Sequence, residues 1–142
     1  MKGQIKIVNE LLIFAIGMGI AVVIILIFQT VRDVTSQVAI KDQTEEVGNL
    51  ISSYILKANQ SNAYYEARLQ IPEKIGGHKY YIDVKDKDGE AVLTLVSSSG
   101  YSFSQELFNI DKNKIITEKI ASSAKYISIS SDKNRIYLNR QS

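Results

Sequence analysis

The sequence lacks cysteine and tryptophan, and its 142 residues include one histidine, His78, and one proline, Pro72. Without cysteine there is no disulfide framework and no thiolate metal site. A single histidine leaves no imidazole cluster for zinc, and together with the absence of cysteine it removes most side chains that act as nucleophile or base. The composition therefore predicts a protein that is not an enzyme and that has no cofactor or small-molecule substrate.

An excess of charge of one sign is also missing, since 17 basic residues nearly balance 15 acidic ones for a net charge of +2. The charges are dispersed along the chain, so we expect no nucleic-acid partner. Asp83, Asp86, Asp88 and Glu90 form a short acidic segment, but it lacks the ligand spacing and the length, about 12 residues, of an EF-hand calcium loop. We interpret it as a solvated hairpin turn and predict no metal site.

The most prominent feature that is present is the apolar run 11–28, LLIFAIGMGIAVVIILIF, which contains no charge and no side-chain amide. At about 1.5 Å per residue this run extends about 27 Å as a helix, close to the hydrocarbon thickness of a bilayer. Val, Ile and Leu occupy every side of that helix, so it is not an amphipathic surface helix. We therefore expect a membrane-spanning segment.

The residues that flank this run predict its orientation. Lys2 and Lys6 precede it, and basic residues near a spanning helix stay on the cytoplasmic side. The run is longer than the core of a usual signal peptide, and no small-x-small cleavage site follows it. The simplest interpretation is a signal anchor: a single-pass protein with a cytoplasmic N-terminus and an extracellular C-terminal domain.

The helix has no obvious stop after the apolar run, because no proline occurs before Pro72. We predict one helix from about Ile5 to about Ala58, whose second half is amphipathic and packs on the domain that follows. Gly48 is expected to loosen this helix by about 1 kcal/mol relative to alanine. The apolar stripe, at gaps of three and four, comprises Val31, Val34, Val38, Val47, Leu50, Ile51, Tyr54 and Ile55.

From residue 63 the period of the apolar residues changes from that of a helix to that of strands. About six short strands are predicted, over 65–71, 80–85, 91–96, 101–110, 126–130 and 135–139. Asp88-Gly89 predicts a hairpin between the second and third of them, and 115–121 is ambiguous between a strand and a helical turn. The fold class is therefore α+β: a long N-terminal helix followed by a β-rich head domain over 63–142, an antiparallel sheet or small sandwich.

Lys2-Gly3-Gln4, placed directly before the apolar helix, resembles the class III signal peptides of archaeal type IV pilins and archaellins. In that family a prepilin peptidase cuts after the glycine on the cytoplasmic side and leaves the apolar helix on the mature protein. The resemblance implies a leader of residues 1–3, a cut between Gly3 and Gln4, and a mature helix over 4–58. In that family a glutamate often follows the cut within the first few residues of the mature chain. Here the nearest acidic residue after the cut is Glu10, which lies slightly further along.

The segment LQIPEKIGGHKYYIDV, residues 69–84, is similar to an LPxxIGG-x-x-Y-x-I stretch of archaeal pilin-like heads. The resemblance implies a subunit that leaves the membrane and polymerises with identical subunits through its apolar helix, with a pilus assembly machine as a further partner. The alternative is an accessory protein of a pilus, archaellum or cell envelope that stays anchored, does not polymerise, and binds a partner through its β head.

Two further residues carry expectations of their own. Asn59-Gln60-Ser61 matches the N-glycosylation acceptor pattern, which makes Asn59 a glycosylation candidate. Glu10 lies at the edge of the apolar run, where a carboxylate is costly. It either lies among lipid headgroups or pairs with Lys6 or a neighbouring subunit's amino terminus during assembly.

Overall fold

The computed structural model describes residues 2–61 and 63–141, with only the backbone of Lys2. Met1 of the expected leader, Asn62 and Ser142 lie outside the described residues. The chain consists of one long helix followed by two four-stranded sheets, which confirms the predicted α+β class. It divides into two compact units, an N-terminal unit, Met1–Val38, and a C-terminal unit, Ala39–Ser142.

Helix α1 spans Lys2–Gln60, slightly beyond the predicted bounds at both ends. No residue inside it interrupts the backbone hydrogen bonds, because proline is absent from this range. Within the N-terminal unit, every residue from 3 to 38 is exposed. The apolar run therefore has no partner within its own unit.

Within residues 63–141, eight strands follow, rather than about six. Their bounds are β1 (Tyr65–Gln70), β2 (Tyr80–Lys87), β3 (Glu90–Ser97), β4 (Ser102–Asp111), β5 (Ile115–Thr117), β6 (Ile120–Ala121), β7 (Tyr126–Ser131) and β8 (Ile136–Gln141). One sheet has the order β1-β7-β8-β5 and the other β4-β3-β2-β6. The ambiguous segment 115–121 supplies two short edge strands, β5 and β6, one to each sheet.

Strand pairing is antiparallel except between β5 and β8, which run parallel. A parallel pair needs a long crossover connection, and the chain supplies it by passing through β6 in the other sheet and β7 before it returns as β8. The predicted β2–β3 hairpin is confirmed: its turn contains Asp88 and Gly89, both with positive φ. The Asp86 carboxylate accepts a hydrogen bond from the Gly89 N–H at 2.9 Å.

The core of the C-terminal unit lies between the inner faces of the two sheets and one face of α1. From α1 it receives Ile40, Val47, Ile51, Ile55 and Ala58, which repeat mostly at gaps of three and four. The predictions that Val31, Val34 and Val38 belong to this buried stripe are wrong, because all three lie in the N-terminal unit and are exposed. The prediction for Leu50 is also wrong, because its side chain is 42% exposed. Leu50 lies about 100° around the helix from Ile51 and so misses the sheets.

Two glycines allow close approach between α1 and the rest of the C-terminal unit. A Cβ added at Gly48 would overlap the Phe103 ring of β4, and one added at Gly76 would overlap the Ile40 side chain. The sequence predicts that Gly48 loosens the helix. In the structure, the Phe103 ring occupies the space that a side chain at position 48 would need. The N–H of Gly76 also donates to the Gln43 side-chain oxygen of α1 at 3.1 Å.

Candidate functional site

The most unusual surface of the chain is the apolar helix surface, residues 3–38 of α1. Large side chains are exposed on all of its sides, with exposed fractions of 61% for Ile13, 56% for Ile20 and 70% for Phe28. Soluble monomers rarely expose contiguous apolar patches above a few hundred Å². The helix is long and apolar enough to span a membrane, so this surface requires lipid or other helices around it.

The hydroxyl groups just beyond the apolar run are satisfied within the helix. The Thr30 hydroxyl donates to the Leu26 carbonyl at 3.0 Å, and the Thr35 hydroxyl donates to the Val31 carbonyl at 2.8 Å. Such bonds to the carbonyl one turn earlier let threonine enter an apolar environment without leaving its donor unsatisfied. These two hydroxyl groups therefore do not oppose burial of the helix just beyond Phe28.

Gly17 and Gly19 form small notches on this surface. A Cβ added at either position would meet no atom within 4 Å. Since the two residues are two positions apart, they lie on different sides of the helix. Small residues are the ones that allow helices to approach closely in the absence of water.

The predicted processing and assembly residues all lie on α1. Gly3 and Gln4 are helical, and Glu10 is exposed one helical turn after Lys6. Lys6 and Glu10 have the spacing of an i,i+4 ion pair, yet the ion pairs among residues 2–61 and 63–141 are Lys41–Glu45 and Lys87–Glu106. The Glu10 carboxylate thus has no cationic partner among the described residues.

The glycosylation candidate Asn59 lies in the last turn of α1 and is half-buried. Beyond the helix, the Ser61 hydroxyl donates to the Ala63 carbonyl at 3.1 Å. The backbone N–H of Ser61 donates to the Lys57 carbonyl at 3.1 Å. The acceptor motif is therefore part of the helix end rather than of an extended loop. Its modification stays a prediction.

Two ionisable groups of the C-terminal unit have clear structural partners. Lys87 donates to Glu106 at 2.6 Å, and this carboxylate raises the pKa of Lys87. Tyr80 is buried and donates to the Pro72 carbonyl at 2.7 Å, and burial raises the pKa of its hydroxyl. In the part of the chain that the structure describes, no group of three or more His, Asp or Glu side chains converges on a metal position.

One exposed residue escaped the sequence analysis. Phe108 is 68% exposed, because the β3–β4 register shifts between Glu90 and Ala91 and extra residues bulge from β4. Asn109, inside the bulge, has a φ of 61°. The available signal was the adjacent apolar pair Leu107-Phe108, which breaks the alternation of a regular strand.

No family model matches this chain, and no curated protein or solved structure matches it. The feature that weighs most is the exposed apolar surface of residues 3–38.

Proposed function

We propose that the chain is a structural subunit of a surface filament similar to archaeal type IV pili, and that α1 is first its membrane anchor and then its polymerisation element. The single observation that carries this proposal is the apolar helix surface, which is exposed on every side. The position of Lys2-Gly3-Gln4 immediately before that surface supports it.

Polymerisation would move the helix from lipid into a bundle of identical helices, so that its apolar surface never meets water. Lipid is as apolar as leucine, so the gain must come from helix packing rather than from the hydrophobic effect. The notches at Gly17 and Gly19 are open on different sides of the helix and offer close approach to more than one neighbour. Repetition of a contact that does not close into a ring gives an open helical filament.

The Glu10 carboxylate fits the same mechanism. A carboxylate near the hydrocarbon edge is costly, and such groups usually find a partner. With no cationic partner among the described residues of its own chain, Glu10 is free to pair with a basic group of a neighbouring subunit. That pairing would set the axial register of one helix against the next.

The proposed topology follows from Lys2 and Lys6, which favour a cytoplasmic N-terminus. The C-terminal unit would then lie outside the cell. The prepilin peptidase would meet the Gly3–Gln4 bond on the cytoplasmic side, and the assembly machine would extract the mature helix from the membrane.

The second candidate is an envelope anchor that does not polymerise. The position of Glu10 favours it, because Glu10 lies further beyond the cut than the glutamate of the pilin family. In that case the apolar helix would stay in lipid, and the C-terminal unit alone would contact a partner.

Mass spectrometry of the chain isolated from its own cells separates the two candidates. The filament proposal expects a mature N-terminus at Gln4, and it expects Gly3→Leu to leave Met1 in place and abolish filaments. Gln4→Ala is the matched control and should still be cut. A native chain that retains Met1 and is confined to the membrane would favour the anchor.

A further inference from the structure

The C-terminal unit has a groove between α1 and the segment that links β1 to β2, here called the helix groove. Val47 is buried at this groove, whereas Leu50 and Pro72 are exposed there. A cavity of about 150 Å³ holds a benzene ring, and the helix groove, with about 370 Å³, has room for one aromatic side chain. The groove is lined by Gln43, Glu46, Val47, Leu50, Pro72 and Lys74.

The same unit exposes an aromatic ring, that of Phe108 in the bulge of β4, here called the knob. Among the described residues of this unit, the other large hydrophobic side chains that are exposed are Leu50, Tyr64 and Ile116. The Tyr64 hydroxyl donates to the Glu66 carboxylate at 2.8 Å, which accounts for the position of that ring. Phe108 has no polar atom in its side chain, so its exposure to water is unfavourable unless another surface covers it.

The knob and the helix groove lie on opposite flanks of α1. Ser52 faces β4, because its hydroxyl donates to the Gln105 side-chain oxygen at 2.8 Å. Leu50 precedes Ser52 by two residues and therefore lies about 200° around the helix from it, on the side of the groove. The Phe108 ring of β4 consequently cannot enter the groove of its own chain, but it can enter that of a second copy.

The charges beside the two surfaces are complementary. Glu90 and Asp111 lie opposite each other at the base of the bulge, and both are exposed. Lys74 is exposed at the groove, and none of these three residues belongs to the two ion pairs found among residues 2–61 and 63–141. Glu46 lines the groove from the α1 side and is exposed to water. A surface ion pair adds little affinity, but it fixes the orientation in which two surfaces dock.

We propose that the knob of one chain inserts into the helix groove of a second copy, with Glu90 of the first beside Lys74 of the second. A second copy is the occupant that the chain itself specifies, because every copy carries both the ring and the groove that fits it. The two surfaces differ, so each contact leaves one knob and one groove free. Such a contact can repeat from copy to copy without closing.

The size of this contact determines where it forms. A phenylalanine buries at most about 250 Å², well below the roughly 1,200 Å² of a stable interface between free proteins. The contact therefore rests on the proposed filament, in which packed helices would keep the C-terminal units of neighbouring copies close together. That closeness raises their effective concentration and makes a weak contact sufficient.

Disulfide crosslinking of surface material sheared from the chain's own cells tests the contact. The chain has no cysteine, so Lys74→Cys combined with Glu90→Cys places one thiol at the groove and one beside the knob. After mild oxidation we expect dimers, trimers and longer species as a ladder on non-reducing immunoblots. Each single variant should remain monomeric, and so should the mismatched pair of Lys133→Cys with Glu90→Cys. A ladder from the mismatched pair, or a dimer from Glu90→Cys alone, would overturn the proposal.

Substitutions in the double-cysteine chain test the ring and the groove themselves. Phe108→Ser removes the knob and Leu50→Arg fills the groove, and each should reduce the ladder at least tenfold. Tyr64→Ser is the matched control, because Tyr64 is similarly exposed and lies outside both surfaces. Circular dichroism of each chain in detergent checks its fold. An undiminished ladder with Phe108→Ser, or an equal loss with Tyr64→Ser, would overturn the assignment.

Electron microscopy of the same material separates this contact from the filament proposal. Filaments that give no ladder in the double-cysteine chain would overturn the contact and leave the filament proposal standing. An absence of filaments from the unaltered chain would overturn both.

Discussion

At the scale of single residues, the sequence indicates where a residue lies within a helix or a strand. It does not indicate which distant residue that side chain contacts. Gly48 illustrates this point. Its position in the helix is visible in the sequence, whereas the Phe103 ring that packs against it lies far along the chain. Tyr80 and Tyr81 show the reverse case. Strand alternation alone indicates that one ring turns inward and the other outward, and Tyr80 is indeed buried while Tyr81 is half-buried.

Replacing Gly48 by alanine should destabilise the C-terminal unit. An exposed helical glycine gains about 1 kcal/mol on this change, but here the new methyl group overlaps the Phe103 ring. Overpacking of this kind costs about 1–3 kcal/mol, so we expect a net loss of unfolding free energy in urea titrations. Phe103→Leu in the same chain should recover part of that loss. A stabilised Gly48→Ala chain would contradict the close approach.

Lys125→Gly should stabilise the same unit. Lys125 has φ 56° and ψ −41°, a conformation that costs a residue with a side chain about 1–3 kcal/mol. Glycine relieves this strain and loses some of the gain to its greater unfolded-state entropy, which leaves about 1 kcal/mol. Lys85→Gly, in the middle of β2, is the control and should destabilise. Thermal unfolding of both variants checks the difference in sign.

Tyr80 should make the C-terminal unit lose stability in alkali. Burial raises the pKa of its hydroxyl above the usual value of about 10, so the unfolded chain releases this proton at a lower pH than the folded one. Stability is then full below about pH 10 and declines progressively above it. Urea titrations between pH 8 and 11 should show this decline, and Tyr80→Phe should make it shallower. An identical decline in both proteins would exclude Tyr80 as its source.

At the scale of elements, most of the architecture is readable from periodicity. The helix was predictable because proline is absent and apolar residues fill the run, and the β2–β3 hairpin because Asp88-Gly89 suits positive φ. The parallel β5–β8 pair and the bulge around Phe108 were not predictable. They depend on which sheet a three-residue strand joins and on the register across β3 and β4, and both are decided by tertiary packing.

Ile20→Arg should abolish membrane insertion or assembly of the helix. A central arginine raises the free energy of insertion by about 2.5–3.5 kcal/mol, and Ile20 lies in the middle of the apolar run. We expect at least a tenfold loss of the chain from the membrane and surface fractions on immunoblots. Gln29→Arg, just beyond the run, is the control and should fractionate normally. Normal fractionation of Ile20→Arg would mean that the helix meets neither lipid nor a dry bundle.

At the scale of the whole molecule, the proposed sites depend on partners that one chain does not contain. Gly3, Gln4, Glu10 and Asn59 are all identifiable from the sequence, yet the role proposed for each needs a peptidase, a neighbouring subunit or a glycan-transferring enzyme. What the structure adds is the exposure of residues 3–38 on every side and a separate C-terminal unit with its own core. Both facts are requirements of the proposed surface filament.

Gold labelling of surface material sheared from the cells tests this function most directly. Because the chain has no cysteine, Lys133→Cys introduces a single thiol in the exposed turn between β7 and β8, to which maleimide gold can be attached. The filament proposal predicts gold at regular intervals along filaments in electron micrographs. Gold confined to membrane fragments, with every filament unlabelled, would contradict it.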